Sequence, residues 1–171
     1  YDGYNGENMV IGVAATDALD QKASFSGYGS KCIDISAPGV SVFSTVVYSP
    51  QNYYNGSPFD KNYDGYWSGT SMAVPMVSGA LALIEGLNPG LDRDAVVNIL
   101  LNNANSISRL NPDFFGKLGK GRLNVQKSLL AAKQQLVNKT YDLVIAPASN
   151  GFGHQVAVTE KNGNLKKQFL A

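Results

Sequence analysis

Gly69-Thr70-Ser71-Met72-Ala73-Val74-Pro75-Met76-Val77-Ser78-Gly79 sets a serine among small residues, where a long polar stretch gives way to the most apolar segment of the chain. Ser71 stands at the start of a helix predicted over Met72–Leu87. Amides without intrahelical acceptors and the positive end of the helix dipole favour negative charge developing beside it. Gly69 and Ala73 leave room for a substrate carbonyl. Serine and threonine at helix starts usually act as caps, so spacing alone favours Ser71 as an N-cap over a nucleophile. If it is the cap, Pro75 removes the first intrahelical hydrogen bond, and the opening turn is shaped by something besides helix stability.

Downstream, Ala73, Ser78, Gly79, Ala80 and Ala82 are small enough to let another backbone approach a helix that is apolar nearly all round, which reads as buried. Asn88-Pro89-Gly90 stops it. Asp92 then caps a second helix carrying Ala95, Val96, Ile99 and Leu100 at helical spacing, and Asn124 caps a third over Val125–Leu136. Upstream, Met9–Thr16 is a short apolar run of the kind buried on both faces of a parallel sheet. Cys32–Ser36 and Val40–Val47 read as two further strands, divided by Ala37-Pro38-Gly39. Tyr48–Gly65 shows no periodicity and reads as a long loop. Cys32, placed in an apolar strand, is expected to be an inert core thiol. After Asn138 come three short strands, Tyr141–Ala146, Gln155–Glu160 and Leu165–Ala171. Ser149-Asn150-Gly151 and Lys161-Asn162-Gly163-Asn164 join them, the second with a hairpin signal at its centre.

Composition removes several classes of function. Of 171 residues, 44% are hydrophobic and 16% charged, with one Cys, one His and a net charge of +1. A single Cys excludes a disulfide framework, and so few Cys and His exclude a thiolate or imidazole zinc site. Near-neutral charge gives no footprint for nucleic acid. No continuous run of about 18 apolar residues suggests a membrane span. The small total conceals an asymmetry: residues 1–91 hold three Lys against eight acids, and the remainder holds 11 Lys and Arg against five. Tyr1 is not an initiator Met and no signal segment follows it, so a processed product or a fragment is expected.

The whole string Gly69–Gly79 resembles the nucleophile segment of the subtilisin-like serine proteases, Gly-Thr-Ser-Met-Ala-x-Pro-x-Val-x-Gly, and meets every fixed position; Met76 stands where the family commonly has His. Val10–Asp17, Ala23-Ser24-Phe25-Ser26, Asp34–Val40 and Gly119-Lys120-Gly121-Arg122-Leu123-Asn124-Val125 resemble further blocks of that family, in family order. The resemblance implies an α/β fold in which residues 1–137 form the C-terminal half of a parallel sheet with helices on both faces. Residues 138–171 would begin a β-rich accessory region, similar to one blade of a propeller-like repeat.

By the same resemblance, Ser71 is the acyl-forming nucleophile of a serine endopeptidase acting on polypeptides. Gly69, Thr70 and Trp67 line the substrate cleft, Trp67 on its leaving-group side. Met72 becomes an oxidation-sensitive neighbour of the nucleophile. The family's triad runs Asp, His, Ser along the chain and adds an oxyanion Asn. None of the first two nor that Asn matches a position here, so all three are expected upstream, and these residues alone are expected to be inactive. No cofactor is required for the chemistry; the resemblance ties Tyr1–Asn8 to a weak cation site made partly of carbonyls, so structural calcium is compatible with the family although no ligands are assigned. Secretion or display at a bacterial cell surface follows, with the C-terminal β region a candidate for surface or ligand binding.

Two other readings compete. Ser71 followed by Asp113 or Asp142 and then His154 reproduces the Ser, Asp, His order of α/β-hydrolases, but Tyr63–Ser68 is not the apolar strand that fold wants before its serine, and His154 falls in a predicted surface turn. A pseudoprotease or binding module on the same scaffold would have kept the motif and lost the triad.

Overall fold

The computed structural model describes residues 10–54, 57–137, 141–147, 154–160 and 165–170. The chain divides into two compact units, Tyr1–Leu129 and Leu130–Ala171.

In the first unit, strands β1 (Val13–Thr16) and β2 (Ile35–Pro38) pair in parallel, with Val13 opposite Ile35 and Thr16 opposite Pro38. Ala14, Ala15, Ile35, Ser36 and Ala37 are fully buried, as the run of small and β-branched residues requires of a strand covered on both faces. A further row continues the sheet beyond β2. Ser36 donates to the Gly121 carbonyl at 2.8 Å and accepts from the Leu123 amide at 2.8 Å, while Arg122 exchanges both backbone bonds with Asn105. Gly121 sits at φ 117, and a Cβ there would run into the Asn105 carbonyl, so the closing Gly-x-Gly block is held to glycine by conformation and by space.

The three helices follow their local signals. Helix α1 spans Thr70–Leu87 and packs on β1, β2 and α2 (Arg93–Asn102). Asp92 caps α2 by accepting from the Ala95 amide at 2.8 Å. Asn124 does the same for α3 (Val125–Val137) through the Lys127 amide at 2.9 Å. Between α2 and α3, buried Asn111 bonds three backbone groups: its Oδ1 accepts from the Lys22 amide, and its Nδ2 donates to the Asp20 and Ile107 carbonyls. Ala14, Ile107 and Leu118 form a core cluster, with Ile33 and Phe114 packed against it.

Five expectations change. Cys32 is exposed in a turn before β2, because pairing with Val13 starts the strand at Ile35 and not at the first apolar residue. The Val40–Val47 strand shortens to β3 (Val42–Thr45), which is mostly exposed. The Tyr48–Gly65 segment is a pair of antiparallel strands, β4 (Ser49–Tyr54) and β5 (Ser57–Phe59), followed by the start of β6 (Tyr63–Trp67), which pairs antiparallel with β3. Fourth, α1 buries one face only. Ala73, Val77, Ala80 and Ile84 are covered, whereas Ser78, Gly79 and Ala82 are exposed and a Cβ on Gly79 would meet nothing within 4 Å among the described residues. Finally, by length and a mean hydropathy of 1.4, Thr70–Leu87 is apolar enough to cross a bilayer. A core helix of an α/β domain meets the same measure, and this one packs against the parallel pair.

The second unit contains β7 (Tyr141–Pro147), β8 (His154–Glu160) and β9 (Leu165–Leu170) in an antiparallel sheet ordered β7-β8-β9. Its register sets Leu143 opposite Val158 and Ile145 opposite Val156, with Phe169 next in that row. His154, expected in a turn, is the first residue of β8. The turns expected at residues 149–151 and 161–164 lie outside the described residues.

Candidate active site

Ser71 is delivered by β6, Ser68 and Gly69. Gly69 is the N-cap of α1, with extended backbone and no side-chain capping bond, so Thr70 and Ser71 are the first two helical residues. The sequence reading of Ser71 as the cap is therefore corrected: its hydroxyl carries no capping duty. Met72 N donates to the Gly69 carbonyl at 3.0 Å, closing the first turn. Pro75 has no N–H, so the Ser71 carbonyl lacks the donor an ordinary helix provides four residues on.

Ser71 is exposed and Trp67 half-buried. Both border a cavity of about 630 Å³, walled by Met72, Pro75 and Met76 of α1, by Val42, Ser44 and Thr45 of β3, and by Val46, Val47, Asn52 and Phe59 of the following hairpin. Among the described residues that line it none is ionisable, so none of these can take the Ser71 proton. Gly69 and Thr70 are adjacent in the chain but do not line this cavity. A smaller one, about 310 Å³, lies between Pro38, Met76 and Arg122–Val125. The Tyr1–Asn8 segment lies outside the described residues; among those described, no group of three or more His, Cys, Asp or Glu could hold a metal ion.

The turn that follows β2 grips the approach to Ser71. Gly69 N donates to the Gly39 carbonyl at 2.8 Å, and Ser41 N donates to Ser68 Oγ at 2.9 Å. A Cβ on Gly39 would lie 2.7 Å from the Ala15 Cβ, 2.8 Å from the Gly69 carbonyl oxygen and 3.2 Å from the Ala73 Cβ. The Ala-Pro-Gly block thus owes its glycine to the closeness of the serine loop. Sequence reasoning found Gly39 by its motif but passed over Ser68 and Ser41, whose relation appears only when two strands are brought together.

Residues 3–143 match the model of the subtilase peptidase family, Peptidase_S8. The chain belongs to the subtilase family. This subtilase is 38% identical over 123 residues to an extracellular protease of Xanthomonas campestris, covering 72% of its own length and 20% of the relative's. It is 39% identical over 119 residues to subtilisin DY of Bacillus licheniformis, covering 70% and 36% respectively. Among solved structures it resembles a protease of Pseudoalteromonas arctica, with a TM-score of 0.57 and 32% identity, covering 72% of this chain and 36% of that one. The chain thus spans about a fifth and about a third of the length of these two relatives. The α/β architecture expected from the resemblance agrees with this neighbour.

Proposed function

We propose that this subtilase segment supplies the nucleophile of a serine endopeptidase, with Ser71 forming the acyl-enzyme and Gly69, Thr70 and Trp67 bordering the bound polypeptide. The reading is carried by one observation: a complete subtilase nucleophile motif whose serine is exposed at the opening of α1, free of capping, beside a cavity. Ser71 Oγ attacks the scissile carbonyl carbon and its proton passes to an imidazole base. The tetrahedral oxyanion is stabilised by amides at the positive end of α1 and by a side-chain donor. Collapse expels the amine with that proton and leaves an ester on Ser71, which water then hydrolyses.

The base, its orienting Asp and the oxyanion Asn are supplied from outside these 171 residues. The sole histidine, His154, follows Ser71 in the chain and belongs to the second unit. The cavity beside Ser71, with no ionisable side chain among its described lining residues, is on this reading where the base-bearing part is received. Residues 1–137 are on this reading the C-terminal part of the peptidase domain, and residues 138–171 begin a β-rich accessory region that binds a surface or ligand. The name of the Xanthomonas relative supports export of the whole protein. No cofactor enters the reaction, and a calcium ion near residues 1–8 would serve structure alone.

Two measurements test this. The 171-residue chain alone should hydrolyse a fluorogenic peptide at least about 10⁴-fold more slowly than the protein expressed from its complete reading frame, since a serine without its base is a weak nucleophile. The complete protein should be labelled at Ser71 by a fluorophosphonate and silenced by Ser71→Ala. A complete protein that neither hydrolyses peptides nor takes the label would be a binding module on a subtilase scaffold.

A further inference from the structure

Ser41 occupies the left-handed region, at φ 54, although it is not glycine. For a residue with a Cβ that conformation is unfavourable and persists only where the surroundings impose it. Its amide finds a partner 27 residues away: it donates to Ser68 Oγ at 2.9 Å, and Ser68 lies three residues before Ser71. One residue after Ser68, the Gly69 amide is tied at 2.8 Å to the carbonyl of Gly39, two residues before Ser41. The two bonds form a double tie between the turn after β2 and the loop entering α1. Immediately beyond Ser41, the β3–β6 pairing shifts register between Val42 and Ser44, so the ladder does not fix this end of the ribbon by itself.

We propose that Ser68 is a positioning residue for Ser71: its hydroxyl oxygen holds Ser41 in the left-handed conformation and so fixes the path of Ser68-Gly69-Thr70 into the helix. Without that acceptor, Ser41 relaxes to negative φ, the start of β3 moves, and one of the two ties on the nucleophile loop is lost. Gly69 N still meets Gly39, so the loop remains folded while its exit angle changes. A displacement of about 1 Å at a reacting atom is enough to cost up to about a hundredfold in rate, and a half-broken tie is expected to cost less. The inference rests on Ser71 being the nucleophile.

The test uses the protein expressed from its complete reading frame and follows kcat and KM separately. Ser68→Ala should lower kcat about three- to tenfold while KM changes less than twofold. Ser68→Thr, which keeps the hydroxyl, should restore it. Glycine adopts φ near +54° without penalty, so Ser41→Gly/Ser68→Ala should recover most of the lost kcat although the hydrogen bond is still missing. A Ser68→Ala enzyme with unchanged kcat, or a double variant no better than Ser68→Ala, would overturn the proposal. Ser71→Ala serves as the control for the underlying reading. If it leaves activity intact, or if the parent protein is inactive, the nucleophile assignment falls and the clamp falls with it. If Ser71→Ala is silent while Ser68→Ala is unimpaired, only the clamp is lost.

Discussion

Ser71 and Asp92 each open a helix, yet their side chains have different work. Asp92 accepts from the Ala95 amide and satisfies an orphan donor of α2, whereas the N-cap of α1 is Gly69 and has no side-chain bond. Ser71→Ala is therefore expected to leave chemical denaturation of the 171-residue chain within about 0.5 kcal/mol of the parent. Asp92→Ala is expected to cost about 1 kcal/mol. Equal losses in the two variants would show that Ser71 caps after all. The distinction was not legible in the sequence, because a serine two residues into a helix and a serine at its cap look alike until the backbone angles of Gly69 are known. The identity of Ser71 as the candidate nucleophile was legible, since Gly69, Met72, Ala73 and Pro75 restrict what the string can be. Ser68 was not, because its role depends on the φ angle of a residue 27 positions away.

At the scale of elements, the starts of α2 and α3 were readable because Asp92 and Asn124 act on amides three residues on, a purely local relation. Strand β2 was misplaced because its first residue is chosen by the partner strand, and the strand pairs of 49–67 were missed because aromatic and Asn-rich composition was weighed above β-propensity. There the Asn55-Gly56 dipeptide, between β4 and β5, was the available hairpin signal. Gly79 carries a different lesson. Read as a point of close backbone approach, it has open space where a Cβ would stand. Gly79→Ala should then stabilise the 171-residue chain by about 0.5 to 1 kcal/mol, the ordinary helix preference for alanine, as read from urea midpoints. Destabilisation would mean that another backbone does lie against α1.

The molecule as a whole leaves an apolar helix partly uncovered: Met76, Leu83 and Leu87 of α1 are between 38% and 54% exposed. With one parallel strand pair among the described residues, the first unit covers α1 on one face only. The 171-residue chain should therefore enhance the fluorescence of an apolar dye such as ANS, and Leu83→Lys should reduce the enhancement without changing far-ultraviolet circular dichroism. A dark dye in a monomeric sample would contradict this account of α1. The misplaced strand start has an effect at the same scale. Cys32, turned out of the sheet, is the sole thiol of the chain. Within these 171 residues there is no second thiol for it to close a loop with, so a disulfide formed by the 171-residue chain at Cys32 is intermolecular. These 171 residues thus carry a single covalent valence, set on the turn that leads into β2.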